Sequence, residues 1–139
     1  MAFIVKSDLV RYIDETTIDQ LTDDDDTLVT EAIKDAEERI SERIGQRVNT
    51  ATEFAKSGAN RQRSLLKHCI SLAIYYLFER LYTDVLPEGR IQAMQYAEAW
   101  LEDVSKGKIV VNLTKVDEAN QSGWPIRWGS QPKKDSQNY

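Results

Sequence analysis

His68 and Cys69 are the single histidine and the single cysteine of this 139-residue chain, and they are its best candidates for nucleophilic chemistry. A nucleophile and its base must lie within hydrogen-bond reach of each other. These two residues are neighbours in a stretch that we predict to be helical, where adjacent side chains point about 100° apart. We therefore interpret Cys69 as a small core residue and His68 as a polar residue at the edge of the helix.

Other kinds of chemistry find no better support. The sequence contains no glycine-rich phosphate loop and no paired spacing of metal ligands. The acidic run Asp23–Asp26 lacks the alternating ligands and the central glycine of an EF-hand loop, so we interpret it as the cap of a helix. An enzyme would need a buried carboxylate pair, and no pattern singles out acids such as Glu37 and Glu38. We predict that the protein is not an enzyme and has no cofactor or metal site.

The element that organises the chain is a predicted central helix within residues 64–86. Its apolar positions cover most of the helix circumference, which is typical of a helix that other elements surround. Lys67 and His68 on one side and Glu79 and Arg80 on the other bracket only about ten residues, against the roughly 20 that a membrane-spanning helix needs. The apolar positions are Leu65, Leu66, Cys69, Ile70, Leu72, Ala73, Ile74, Tyr76, Leu77, Phe78 and Leu81.

Two further long helices are predicted from apolar residues that recur every three or four positions. The first runs from the acidic run to Gly45, which we expect to end it in a left-handed conformation. The second follows Pro87 and extends to about Ser105. Short helices are expected near the N-terminus, and Ser7 is expected to cap the first of them. We further expect a basic loop over 46–60 and a short strand or extended segment over 109–113. The apolar faces comprise Val29, Ala32, Ile33, Ala36, Ile40 and Ile44, and then Ile91, Met94, Ala97, Leu101 and Val104.

The predicted fold class is therefore all-α: a small antiparallel helical bundle around one central apolar helix, with a short strand or extended segment and an extended C-terminal tail. We divide the chain into a helical domain, residues 1–114, and a tail, residues 115–139. The tail is too polar to form a core of its own, but it contains Trp124, Ile126 and Trp128, with Arg127 among them. Such tryptophans need a surface to cover them, either on the helices of the same chain or on a partner. We predict that these four residues form a docking segment.

Charge is strongly segregated along the chain, although the net charge is only −5. Residues 23–42 carry a net charge of −7, and residues 43–67 carry a net charge of +5. The acidic total argues against a protein that coats nucleic acid. A single cysteine excludes an internal disulfide framework, and the N-terminus has no signal-peptide pattern, so we expect synthesis in the cytoplasm and no membrane association.

The order of these segments resembles the Mu-like family of phage head–tail joining proteins over residues 2–113. The resemblance rests on Asp8-Leu9, on Leu21-Thr22-Asp23, and on residues 32–37, Ala-Ile-Lys-Asp-Ala-Glu, leading to Arg47. It continues through residues 66–77 and through Tyr96, Ala99-Trp100-Leu101 and Gly107-Lys108. Val48 stands where many members of the family have an aromatic residue.

The resemblance implies a structural adaptor in the neck of the virion, at the head–tail junction. Such a protein would form a homo-oligomeric ring, expected to have 12 copies, beneath the phage portal protein. It would extend the channel for double-stranded DNA and present a docking surface to the next head-completion or tail-terminator protein.

The separated charges suit a head-to-tail contact, in which different patches of two subunits meet and rotation closes a ring. We expect Asp35, Glu38 and Glu42 on the acidic side of this contact to face Arg43, Arg47, Arg61 and Arg63 on the basic side. Contact with DNA in the channel would involve Lys56, Arg61 and Arg63, and would be independent of base sequence. The alternative is a small cytoplasmic regulatory module that binds one protein partner through the tail.

Overall fold

The computed structural model describes residues 2–81, 87–109 and 111–116, which contain six α-helices. Helix α1 spans Lys6–Leu9, α2 spans Glu15–Thr22, α3 spans Asp26–Ile44, α4 spans Thr50–Phe54, α5 spans Arg63–Leu81 and α6 spans Glu88–Ser105. A 3₁₀ turn, Gly58–Asn60, lies between α4 and α5. The all-α prediction is confirmed.

Helix α5 is the central helix, as predicted. It packs against α1, α2, α3 and α6, and α3 also contacts α6 directly. Leu65, Leu72, Ala73, Ile74 and Leu77 are fully buried, because these neighbouring helices pack around α5. No helix within the described ranges is long and apolar enough to cross a membrane.

Helix α3 begins at the acidic run, as predicted. It also buries the face that the spacing of its apolar residues predicts. Asp25 is its N-cap and accepts hydrogen bonds from Thr27 N–H at 3.0 Å and from the Thr27 hydroxyl at 2.6 Å. These bonds lower the pKa of Asp25. Asp23 and Asp24 turn the chain out of α2 with φ angles of 53° and 61°, a left-handed conformation that aspartate tolerates better than most residues. All six predicted core positions of α3 are buried.

Three local predictions are wrong. Gly45 has a φ of −62° and not a left-handed conformation, although a Cβ at this position would clash with the Ser41 carbonyl oxygen. Ser7 lies inside α1, whose cap is Val5; the Val5 N–H donates to Asp8 Oδ2 at 2.9 Å. The basic loop over 46–60 contains helix α4, with Asn49 as its N-cap.

The segment after α6 is extended, and within its described residues it forms no strand. Gly107 turns it away from α6 with a φ of 72°. Lys115 forms one antiparallel bridge with Val48, and the Asn49 N–H donates to the Thr114 carbonyl oxygen at 2.7 Å. We call residues 111–116 the strap, because they return across the chain that links α3 to α4. The docking segment 124–128 lies outside the described residues.

Candidate interaction surfaces

The acidic face of α3, defined here as Asp35, Glu38 and Glu42, is exposed to solvent. Arg39 lies among these carboxylates, but its guanidinium binds a residue of α6. Its Nε and Nη2 atoms donate to the two carboxylate oxygens of Glu98 at 2.9 and 3.0 Å. The Glu42 carboxylate lies 3.9 Å from Arg39, a much looser contact. Because Glu98 occupies the guanidinium of Arg39, the acidic face remains net negative.

Arg43 and Arg47, predicted on the basic side of a subunit contact, lie beside the C-terminal end of α6 of the same chain. Arg43 is 4.0 Å from the Glu102 carboxylate. The Arg47 Nε donates to the Ser105 carbonyl oxygen at 2.8 Å. A Cβ on Gly107 would lie 3.2–3.3 Å from the Arg47 guanidinium, so this residue leaves room for the arginine. Both arginines therefore interact with α6 within one molecule.

Arg61 is nearly buried and holds the N-terminal segment in place. Its Nη1 donates to Asp8 Oδ2 and to the Phe3 carbonyl oxygen, both at 2.8 Å, and its Nε donates to the Gly58 carbonyl oxygen at 2.8 Å. The exposed fractions of the two charged side chains are 12% for Arg61 and 7% for Asp8. Burial opposes ionisation of Asp8, but the hydrogen bonds from Arg61 and Val5 outweigh it and lower the pKa of Asp8. The position of Arg61 is thus set inside the protein.

Arg63 is exposed and makes no ion pair with any residue of the described ranges. It lines a cavity of about 400 Å³ together with Arg61, Leu66 and Arg11. The sequence patterns did not single out Arg11, because it lies about 50 positions away in another charge environment and only the packing of α1 on α5 brings it here. We call Arg11 and Arg63 the basic patch.

Lys56, the other predicted DNA contact, is tied to a buried carboxylate. Its Nζ lies 3.1 Å from Glu53 Oε2, which also accepts a hydrogen bond from the Thr114 N–H at 2.8 Å. Glu53 Oε1 is buried and has no hydrogen-bond partner among the residues that the structure describes. Burial opposes ionisation of Glu53, but the bonds from Thr114 and Lys56 outweigh it and lower its pKa. Glu53 therefore connects α4 to the strap as an anion.

His68 and Cys69 occupy separate environments. The His68 ring stacks on Trp100 of α6 with the ring centroids 4.9 Å apart, while Cys69 is a free, buried thiol. Burial and, to a smaller extent, the charge of Lys67 lower the pKa of His68 from 6.5 to about 4. Within the described ranges, no group of three or more His, Cys, Asp or Glu side chains could hold a metal ion.

The low pKa of His68 predicts a specific acid sensitivity. Between pH 6.5 and 4 the unfolded chain binds a proton that the folded chain does not, so the free energy of unfolding falls as the pH falls through this range. We expect a loss of about 1 kcal/mol per pH unit. In His68→Phe, which keeps the stacking on Trp100, this part of the pH dependence should disappear. Urea titrations of both proteins between pH 7 and 4 test this, and equal slopes would contradict it.

A family model described as Bacteriophage Mu, Gp36 matches residues 3–126 of this chain. The match covers all the described residues from Phe3 onward and extends beyond the resemblance noted above, which ended at residue 113. It includes Trp124 and Ile126 of the docking segment but ends before Arg127 and Trp128. A search of curated proteins found no match.

Proposed function

The chain belongs to the bacteriophage Mu Gp36 family, and on that premise we propose that it is a structural head–tail connector of a tailed phage. In this proposal it forms a ring of about 12 copies beneath the portal protein, in the neck of the virion. The ring extends the DNA channel and presents a docking surface to the next head-completion or tail protein. The observation that carries the proposal is a helical body that displays two unlike charged surfaces.

A ring of identical subunits requires two different, complementary patches on each subunit. The acidic face of α3 is one candidate, because its carboxylates remain largely free of partners within the molecule. The basic patch is the other candidate, because Arg11 and Arg63 are exposed and have no ion-pair partner among the described residues. We propose that the acidic face of one subunit meets the basic patch of the next.

Contacts within the molecule reduce the number of basic residues that are free to take part in the proposed subunit contact. Arg43, Arg47 and Arg61 each interact with another part of the same molecule. Moving any of them to a neighbouring subunit would break those contacts. Arg63 therefore has the largest share in the proposed subunit contact, and Arg11 joins it although it was absent from the sequence-based set.

Contact with DNA in the channel is proposed for the same region, through Arg63 and Lys56. Lys56 has an exposed fraction of 35% while its ammonium neutralises Glu53, so it presents less free positive charge than Arg63. A contact made only with phosphates is independent of base sequence and weakens as salt rises. Weak contact suits a conduit, which must let DNA pass.

The proposal is tested by mixing the purified protein with the portal ring of the same phage and measuring the particle mass by light scattering. Electron microscopy of the same sample gives the symmetry. A closed ring added to the portal is the expected result. A complex with one or two copies, or no association at any salt concentration, would contradict the connector proposal and favour the regulatory module.

Charge reversal on the acidic face should slow this assembly. We expect Asp35→Lys with Glu38→Lys to reduce the rate of ring formation about tenfold at low salt, because complementary rim charges mainly accelerate encounter. Glu15→Lys with Glu88→Lys makes the same change in net charge on exposed residues of α2 and α6, and serves as the control. Light scattering over time measures both rates. Equal slowing in the two variants would show that net charge matters and the acidic face does not.

A further inference from the structure

We propose that the groove between residues 2–6 and helix α3 binds the docking segment, residues 124–128, of the same chain. The inference concerns a surface that the connector proposal does not use, and it does not depend on ring formation.

The groove has a volume of about 340 Å³, within the range of about 300–1,000 Å³ that is common for binding pockets. Its apolar lining comes from three parts of the chain, namely the N-terminal segment, α3 and α4. Val5, with an exposed fraction of 44%, is one of the few large apolar side chains that the described part of the protein leaves open to solvent. The apolar lining consists of Phe3, Ile4, Val5, Val29, Ile33 and Phe54.

Glu37 supplies the groove with a carboxylate, and the groove is also lined by Lys34 and by Lys6, which forms an ion pair with Asp26. It is half-buried at the edge of the groove, and among the described residues no cation lies within ion-pair distance of its carboxylate. Burial raises the pKa of Glu37, and Lys34 on the same helix only partly opposes this. An arginine placed at this edge would neutralise a carboxylate that has already lost part of its hydration.

The docking segment has the composition that this groove would bind. Its sequence, Trp-Pro-Ile-Arg-Trp, offers two indole rings and one isoleucine to an apolar lining, with a guanidinium between them. Pro125 restricts the backbone and so reduces the entropy lost on binding. In the proposed arrangement Trp124, Ile126 and Trp128 contact the apolar lining, and Arg127 forms an ion pair with Glu37.

The segment can reach the groove of its own molecule. The strap ends beside the C-terminal end of α3, where the Val116 N–H donates to the Arg47 carbonyl oxygen at 3.0 Å. Along α3, the distance from Ile44 back to Ile33 is about 17 Å, and Arg47 follows three residues after Ile44. Trp124 lies eight residues beyond Val116, and eight extended residues span up to about 26–29 Å. A tether of this length gives a millimolar effective concentration, so a modest contact suffices.

Thiol cross-linking at high dilution tests the proposal on the full chain. Thr30 is exposed, lines the groove and can be changed to cysteine together with Ser130→Cys, two residues beyond Trp128. The native Cys69 is buried and does not compete for the reagent. We expect a short bis-maleimide to link residues 30 and 130 within one chain, detected as a peptide pair by mass spectrometry and as a monomer on a denaturing gel.

Glu38→Cys paired with Ser130→Cys is the matched control, because Glu38 is exposed on α3 but does not line the groove. The yield at position 30 should exceed that at position 38 about tenfold, since a specific contact excludes other positions. Equal yields at the two positions, links only between chains, or no link would each overturn the proposal. Because the portal is absent, these outcomes leave the connector proposal untouched.

Two sets of variants check the contacts themselves. Trp124→Ala with Trp128→Ala should lower the yield of the 30–130 link at least about tenfold, as buried tryptophans dominate most contacts of this kind. Arg127→Glu should lower it severalfold, and adding Glu37→Arg should restore it. No change in the tryptophan variant, or no recovery on the charge swap, would overturn the assigned contacts, and unchanged circular dichroism would confirm that the helices remain folded.

Discussion

Replacing Arg61 by alanine should lower the free energy of unfolding by about 3–5 kcal/mol, because it leaves a buried carboxylate without its charge partner. Asp8 would retain one backbone donor, the Val5 N–H at 2.9 Å. The carbonyl oxygens of Phe3 and Gly58 would each lose the guanidinium that they accept from at 2.8 Å. A loss of this size is a large part of the stability of an ordinary small domain, about 5–15 kcal/mol.

Arg63→Ala is the matched control, since Arg63 is exposed and lies two residues further along the chain. Its effect should stay within about 0.5 kcal/mol. Urea unfolding of both variants, followed by circular dichroism, measures the difference. The double variant Asp8→Asn with Arg61→Ala should recover part of the loss, because it removes the buried charge together with its partner.

The same pair has a defined pH dependence. The pKa of Asp8 is lowered from 3.8 in the folded protein. Its contribution is therefore fully present above the pKa of the unfolded chain and is lost as the pH falls below that value. The cost of Arg61→Ala should shrink accordingly in strongly acidic solution. An effect no larger than that of Arg63→Ala at neutral pH would show that Arg61 is not the anchor of the N-terminal segment.

Sequence periodicity was sufficient for the three long helices. In α3 and α6 the apolar residues recur often enough for the buried face to be evident, and all six core residues assigned to α3 are buried. The central position of α5 followed from its apolar circumference alone. These features depend on the spacing of apolar residues within one segment, which can be identified in a single sequence.

The candidate interaction surfaces were harder to predict because they depend on pairing between distant charges. Arg61 belongs to a basic block and was expected on the outside, but 53 positions separate it from the Asp8 carboxylate that it binds. The burial of Glu53 could not be predicted, because the residue type alone does not distinguish a buried glutamate from an exposed one. Helix α4 was missed for this reason: only five residues long, it buries a charged residue.

Glu53→Ala should cost about 3 kcal/mol and should detach the strap from α4. The Glu53 side chain has an exposed fraction of 0%, and its Oε2 atom accepts from both Thr114 N–H and Lys56. Without it, a part-buried backbone N–H and a lysine lose their acceptor, and a charged hydrogen bond of this kind contributes about 1.5–3 kcal/mol. Glu53→Gln should cost less, because the amide oxygen can still accept from Thr114.

Glu102→Ala is an informative control for the effect of burial. Glu102 also pairs with a nearby lysine of the same segment, Lys106, at a shorter distance of 2.6 Å, but its exposed fraction is 49%. Solvent screens such a pair, so its removal should cost far less stability than Glu53→Ala. If the distance between charges decided stability, Glu102→Ala would be the more damaging change, and urea titration of the two variants distinguishes these outcomes.

Hydrogen exchange would locate the effect of Glu53→Ala within the protein. The amides of Thr114 and Val116 should exchange faster, since both belong to the contacts between the strap and the α3–α4 connection. In the buried part of α5, the exchange rate of the amides should change only as much as the global stability of the protein changes. Uniform acceleration across the chain would show that Glu53 supports the whole bundle. Selective acceleration would show that one buried carboxylate holds the strap against α4.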